Sequence, residues 1–167
     1  IEILEEGNDL LLSTDKRLKA QFLSSLGDAY HAIGKHEESD DYFELSLKLD
    51  SENHFVLNNY AYYLSERNIQ LEKAKIMSRK SNELHPDEAS FQDTYGWILY
   101  KLGDYEKALK WLQKSELNGG NNSAIINEHI GDVYEKLGLR EKALKYWKLA
   151  HHIGGGSDQL LNKLKQK

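Results

Sequence analysis

The sequence predicts an all-α solenoid of stacked, antiparallel helix pairs, on three observations. One pattern recurs four times at intervals of 34 or 35 residues, which is the signature of a repeat array. Each copy reads as two amphipathic stretches with apolar residues three and four positions apart. The composition suits helices that bury one face: 40% hydrophobic residues, three tryptophans and ten tyrosines, with a single proline.

The elements follow in order. "IEILEEGNDLLL" (1–12) reads as the second helix of a truncated repeat over 1–13, broken by "STD" (13–15). Because the chain opens at Ile1 within a helical pattern, it is expected to be a fragment of a longer protein. Next come "SLGDAYHAIGKHEES" (25–39), "NYAYYLSERNIQLEKA" (59–74), "TYGWILYKLGDYEKA" (94–108) and "HIGDVYEKLGLREKA" (129–143), which superpose with one inserted residue in the second. Gly27, Ala61, Gly96 and Gly131 share a column, and Ser39, Ala74, Ala108 and Ala143 share another; small residues recur where backbones approach closely. The two helices of a copy are joined by turns at Gly34, Asn68, Gly103 and Gly138, residues that tolerate a left-handed conformation. In the third copy Phe91, Tyr95, Ile98 and Leu102 form one apolar face, and Tyr105, Ala108, Leu109 and Leu112 form the other. One such pair of faces cannot offset the entropy of ordering a whole repeat, so copies must stack. Repeats are predicted over 20–53, 54–88, 89–123 and 124–156. After "GGGS" (154–157), Ser157 is positioned to cap a short helix over 157–167 that covers the end of the stack through Leu160, Leu161 and Leu164.

The repeats "YGWIL…GDYEKALKWL" and "IGDVY…GLREKALKYW", with "LGDAY" and Phe43 in the first copy and Pro86 closing the second, resemble the tetratricopeptide repeat. The resemblance spans roughly residues 20–155. The early tryptophan is missing, and Ser51, Gly120 and Gly155 replace the closing proline in three copies. It implies a right-handed superhelix of about four repeats plus a C-terminal capping helix. More narrowly, the run from "LNNYAYYLSERNIQLEKA" to "HIGDVYEKLG" is similar to the C-terminal arrays of Bacteroides-type bacterial proteins, many of them exported or lipid-anchored, which implies a bacterial periplasm or envelope.

Chemistry-bearing motifs are sparse. His36 and Asp40 in "HEESD" stand one helical turn apart, but no third ligand follows, and acidic residues at a helix start answer to the helix dipole. "HH" (151–152) falls at a helix end. "NGGNNS" (118–123) and "GGGS" lack the strand-to-helix context of a phosphate cradle, and no nucleophile-elbow pattern occurs. No cysteine is present, so thiolate ligands and nucleophiles are excluded. The protein is expected to need no metal or cofactor and to be no enzyme. Residues 1–100 hold 10 basic and 19 acidic side chains, against 12 and 8 in residues 101–167. That acidic front half argues against nucleic acid as a partner. No apolar run reaches the length of a membrane span.

By resemblance, the second, fifth, ninth, twelfth and thirteenth places of each repeat face a concave groove. Counted from Ala20, His54, Ala89 and Ala124, these places supply Phe55, Asn58, Tyr62 and Glu66 in the second copy. Asp93, Trp97, Tyr100 and Lys101 follow in the third, and Glu128 and Asp132 in the fourth. An aromatic patch of Phe55, Tyr62, Trp97 and Tyr100, flanked by carboxylates, is expected to receive a peptide with apolar anchors and positive charge. Tyr60 and Tyr63, in neighbouring columns, are expected in the core. A carboxylate clamp for chaperone tails is not expected, since only Asn59 matches its Lys/Asn, Asn, Lys/Arg constellation. The implied role is a non-enzymatic protein-interaction scaffold. Two alternatives remain: self-association, including a homodimer through the exposed N-terminal repeat face, and an RNA-binding helical repeat, against which the acidic groove argues.

Overall fold

The computed structural model describes residues 15–165. Among them it contains nine α-helices, one 3-10 turn and no strand: α1 (Lys16–Ala32), α2 (His36–Leu49), α3 (His54–Glu66), α4 (Leu71–Leu84), α5 (Ala89–Lys101), α6 (Tyr105–Leu117), the turn Gly120–Asn122, α7 (Ala124–Lys136), α8 (Arg140–Ile153) and α9 (Leu160–Lys165). The helix expected over 1–13 lies outside the described residues, as does the dimer surface built on it. Three inner helices begin at His54, Ala89 and Ala124, the first places of their repeats. The first begins at Lys16, four residues ahead of Ala20, because Asp15 caps it by accepting the Leu18 amide at 2.9 Å. Asn53 and Ser123 cap α3 and α7 in the same way.

Each repeat joins its two helices with one turn chemistry. Gly34, Asn68, Gly103 and Gly138 all have positive φ, and the next amide reaches back to a carbonyl five residues earlier, as from Lys35 to Tyr30 and from Asp104 to Leu99. The residue inserted in the second copy leaves a second left-handed position at Gln70, φ 47°, at the entry to α4.

The helices of each repeat pack antiparallel as α1–α2, α3–α4, α5–α6 and α7–α8, and α4 and α6 then lie against the next repeat. The small-residue columns permit this closeness. A Cβ on Gly131 would stand 2.4 Å from the Trp147 ring, and one on Gly96 2.8 Å from Leu112. Opposite them Ala74, Ala108 and Ala143 are fully buried, and Ser39 donates its hydroxyl to the Gly27 carbonyl at 2.8 Å. Of the third repeat's two apolar faces, Phe91, Ile98, Ala108 and Leu112 are buried, whereas Tyr95, Leu102, Tyr105 and Leu109 are half-buried at the margin. The core falls into two clusters. One, around Phe43, Tyr60, Leu64 and Met77, serves the front repeats; the other, around Leu112, Ile130, Val133 and Trp147, serves the rear and takes in Leu160 of α9.

Candidate functional site

The inner helices α3, α5 and α7, with residues 157–163, line a recess of about 650 Å³. Seven of the ten residues expected in the groove meet there: Tyr62, Glu66, Trp97, Tyr100, Lys101, Glu128 and Asp132. The other three lie elsewhere. Asp93 is buried beside the recess, and Asn58 is buried with its amide pointing to Asn59. Phe55, 61% exposed, belongs to a separate front recess of about 230 Å³ shared with Gln21, Ser24, Asp28 and Asn59. The single aromatic patch expected from the columns is therefore two patches.

Successive inner helices stand close enough for groove residues to grip one another. Trp97 is only 8% exposed. The His129 and Tyr100 rings stack on it at 3.9 and 4.7 Å, its Nε1 donates to Glu66 at 2.7 Å, and Lys101 Nζ lies 4.7 Å from its ring centre. Trp97, expected in the groove, lines the recess as its buried floor, while the half-buried Tyr62 and Tyr100 are its walls. Burial, with the Asp132 charge nearby, pushes the Tyr100 hydroxyl up to about 12, and burial beside Glu66 and Asp93 raises that of Tyr62 further. Both phenols stay neutral donors at physiological pH.

Of the neighbouring tyrosines, Tyr60 is in the core as expected. Tyr63 is half-buried instead: its ring stacks on His31 at 3.6 Å and its hydroxyl donates to Asp28 at 3.0 Å, on the preceding inner helix.

The rear of the recess is a network of buried charge. His129 Nδ1 and Asp93 Oδ1 are 2.9 Å apart, both almost wholly buried. Burial pulls the His129 pKa down, but Asp93, Asp132 and Glu66 outweigh it and the net shift is upward. Glu128, 2% exposed, accepts from Lys163 Nζ at 2.6 Å and from both the amide and the hydroxyl of Ser157. Burial raises its carboxyl, but these donors win and hold it below the usual range. Asp132, 8% exposed, accepts from Lys163 at 2.7 Å and from Trp147 Nε1 at 2.9 Å, yet burial dominates and its pKa is raised.

Ser157 thus bonds Glu128 through its hydroxyl rather than capping a helix, and α9 starts only at Leu160. The expected end cap packs Leu160 and Leu164 on the rear core and also reaches the groove rim through Ser157 and Lys163. The column reading missed His129, Trp147, Ser157 and Lys163. Two features pointed to His129 and Lys163: His129 is the one histidine in a column otherwise filled by Ser25, Asn59 and Thr94, and the basic excess after residue 100 follows an acidic groove.

The remaining motifs have structural explanations. Asp40 pairs with Arg67 at 2.5 Å rather than with His36. His151 and His152 are exposed in the last turn of α8. "NGGNNS" forms the 3-10 turn leading to the Ser123 cap. Among the described residues no three His, Cys, Asp or Glu side chains gather to hold a metal, and no helix is long and apolar enough to cross a membrane.

A profile of the tetratricopeptide repeat matches residues 6–153. The TPR repeat-containing protein PA4667 of Pseudomonas aeruginosa is 29% identical over 66 residues, which are 40% of this chain and 11% of that protein. Among solved structures, a thermophilic TPR protein of Thermus thermophilus superposes with a TM-score of 0.77 at 20% identity, over 87% of this chain and 79% of the other. MamA of AMB-1 gives 0.72 at 20% identity, over 92% and 86%. PilF of Pseudomonas aeruginosa gives 0.72 at 21% identity, over 86% of this chain and 65% of its own length. Identities this low speak for a shared solenoid fold. They do not bear on the Bacteroides-type resemblance.

Proposed function

The chain belongs to the tetratricopeptide repeat family, and on that premise we propose that it is a non-enzymatic scaffold holding a peptide segment of a partner protein in its concave groove. Tetratricopeptide domains are in general protein-interaction modules. The observation that carries the reading here is the recess drawn from three consecutive inner helices, with tyrosine walls, a tryptophan floor and carboxylates around them. An elongated ligand touches all three repeats at once, while apolar side chains lie against Tyr62 and Tyr100. Glu66, exposed at the rim, and Asp28 in the front recess favour a ligand carrying positive charge. The same excess of carboxylates disfavours nucleic acid. The Bacteroides-type resemblance and an envelope location belong to this proposal on the strength of the sequence run alone.

The test is a calorimetric titration with a blocked dodecapeptide bearing leucines at helical spacing and one central lysine. Tyr62→Ala, which removes a wall without opening the core, should weaken binding by about tenfold or more, roughly 1.4 kcal/mol, with unchanged helicity. Equal affinity in the variant and the wild type would sink the site.

A further inference from the structure

The C-terminal segment occupies the groove in a way that end-capping does not require. Gly154 and Gly155, both at positive φ, turn the chain out of α8, and Gly156 leads it back over α7. Ser157 and Lys163 then come down on Glu128 and Asp132. Its apolar hold is partial: Leu160 is buried and Leu164 packs half-buried against the rear core, but Leu161 is half exposed and a cavity of about 260 Å³ remains between the segment and the end of α8. The attachment is therefore shared between these leucines and the ionic contacts of Lys163 and Ser157. The two carboxylates beneath it are buried among protein atoms and need a cation to compensate them. Lys163 supplies that cation from the same side on which a ligand would lie.

We infer that residues 157–165 form a strap that fills the rear of the groove in place of a partner, and that a lysine side chain of the bound peptide displaces it by exchanging with Lys163 on Glu128 and Asp132. The inference rests on the peptide-groove reading above. Exchange conserves charge: one primary ammonium leaves two carboxylates as another arrives, so neither carboxylate is stranded in a buried site. The glycine run supplies the hinge, because its residues tolerate the backbone rotations that lifting the strap demands. A ligand lacking the cation can use the front and middle of the groove but leaves the strap in place.

The experiment pairs wild type and Lys163→Met with two peptides, the lysine dodecapeptide and its norleucine twin. Hydrogen exchange at residues 157–165 is followed in parallel, the Ser157 amide reporting directly because it is bonded to Glu128. Saturation of the wild type with the lysine peptide should accelerate exchange across the strap by about tenfold or more. Lys163→Met, which keeps the side-chain stem but vacates the ammonium site, should bind the lysine peptide about tenfold tighter than wild type does and the norleucine peptide equally. Ser157→Ala leaves both carboxylates paired with Lys163 and repeats the test in milder form, with a gain of about threefold. If the wild type binds the lysine peptide while the strap stays protected, and neither substitution changes the lysine preference, the strap is a structural cap and the inference falls while the groove reading stands. If no protein binds either peptide, both fall.

Discussion

The front of the groove, in the first two repeats, and its rear, in the last two, both present carboxylates on inner helices but compensate them differently. At the front, Asp28 is held by the neutral Tyr63 hydroxyl, and burial raises its pKa against that bond. Phe55 beside it projects into solvent. At the rear, Asp93 is paired with His129, Glu128 and Asp132 share Lys163, and Glu135 meets Arg140 at 2.9 Å. The same repeat frame thus yields one end whose charge is open to a ligand and one whose charge is already answered by the chain. A position in the repeat sets where a side chain points. What it meets there depends on the next helix and, at the rear, on the tail.

The largest expected effect separates the two ends in their packing. Gly131→Ala drives a Cβ into the Trp147 ring, the residue that also holds Asp132, and should cost about 3 kcal/mol in urea unfolding. Gly27→Ala meets Phe43 at 2.9 Å and should cost about 1 kcal/mol. Equal losses would mean that the rear is no more tightly locked than the front. Next in size is the charge network: Asp132→Ala strands the Trp147 N–H and half of Lys163's pairing, for a loss of about 2 kcal/mol, while Asp28→Ala should cost less than about 1. Reversed values would undo the contrast.

The smallest effect is a dependence on pH. The His129 pKa is raised above its ordinary 6.5 despite burial, because Asp93, Asp132 and Glu66 face it. A raised histidine stabilises the fold fully below its unfolded pKa and loses that contribution as pH climbs through the folded value. Wild type should therefore exceed His129→Gln most at pH 6, and the gap should shrink toward pH 9. A gap that widened with pH would show that the histidine is buried neutral.

Much of this architecture was legible in the sequence, because it depends on contacts repeated in every copy. Gly34, Asn68, Gly103 and Gly138 announce the turns, and the Gly27 and Ala74 columns announce where backbones touch. Groove membership was legible for Tyr62, Tyr100 and Glu66 for the same reason. The burial of Trp97 was not, since it comes from His129 stacking one repeat later, and a column compares equivalent places without bringing neighbouring places together. The strap was invisible to the pattern. Lys163 lies 35 residues beyond Glu128, outside any repeat, and its role arises only because Gly154 and Gly155 turn the tail back toward α7. Phe55 was misassigned to the middle patch because its place in the repeat is a groove place, while the position of α3 sets it in a recess of its own.

The central claim is that a peptide lies along the inner helices. Backbone chemical-shift mapping of the isotope-labelled protein, titrated with the lysine dodecapeptide, tests it most directly. Binding in the groove predicts shifts concentrated in 58–66, 93–101 and 125–136, with α4, α6 and the outer face of α8 unchanged. Saturable shifts confined to those outer helices, or none at all, would contradict it.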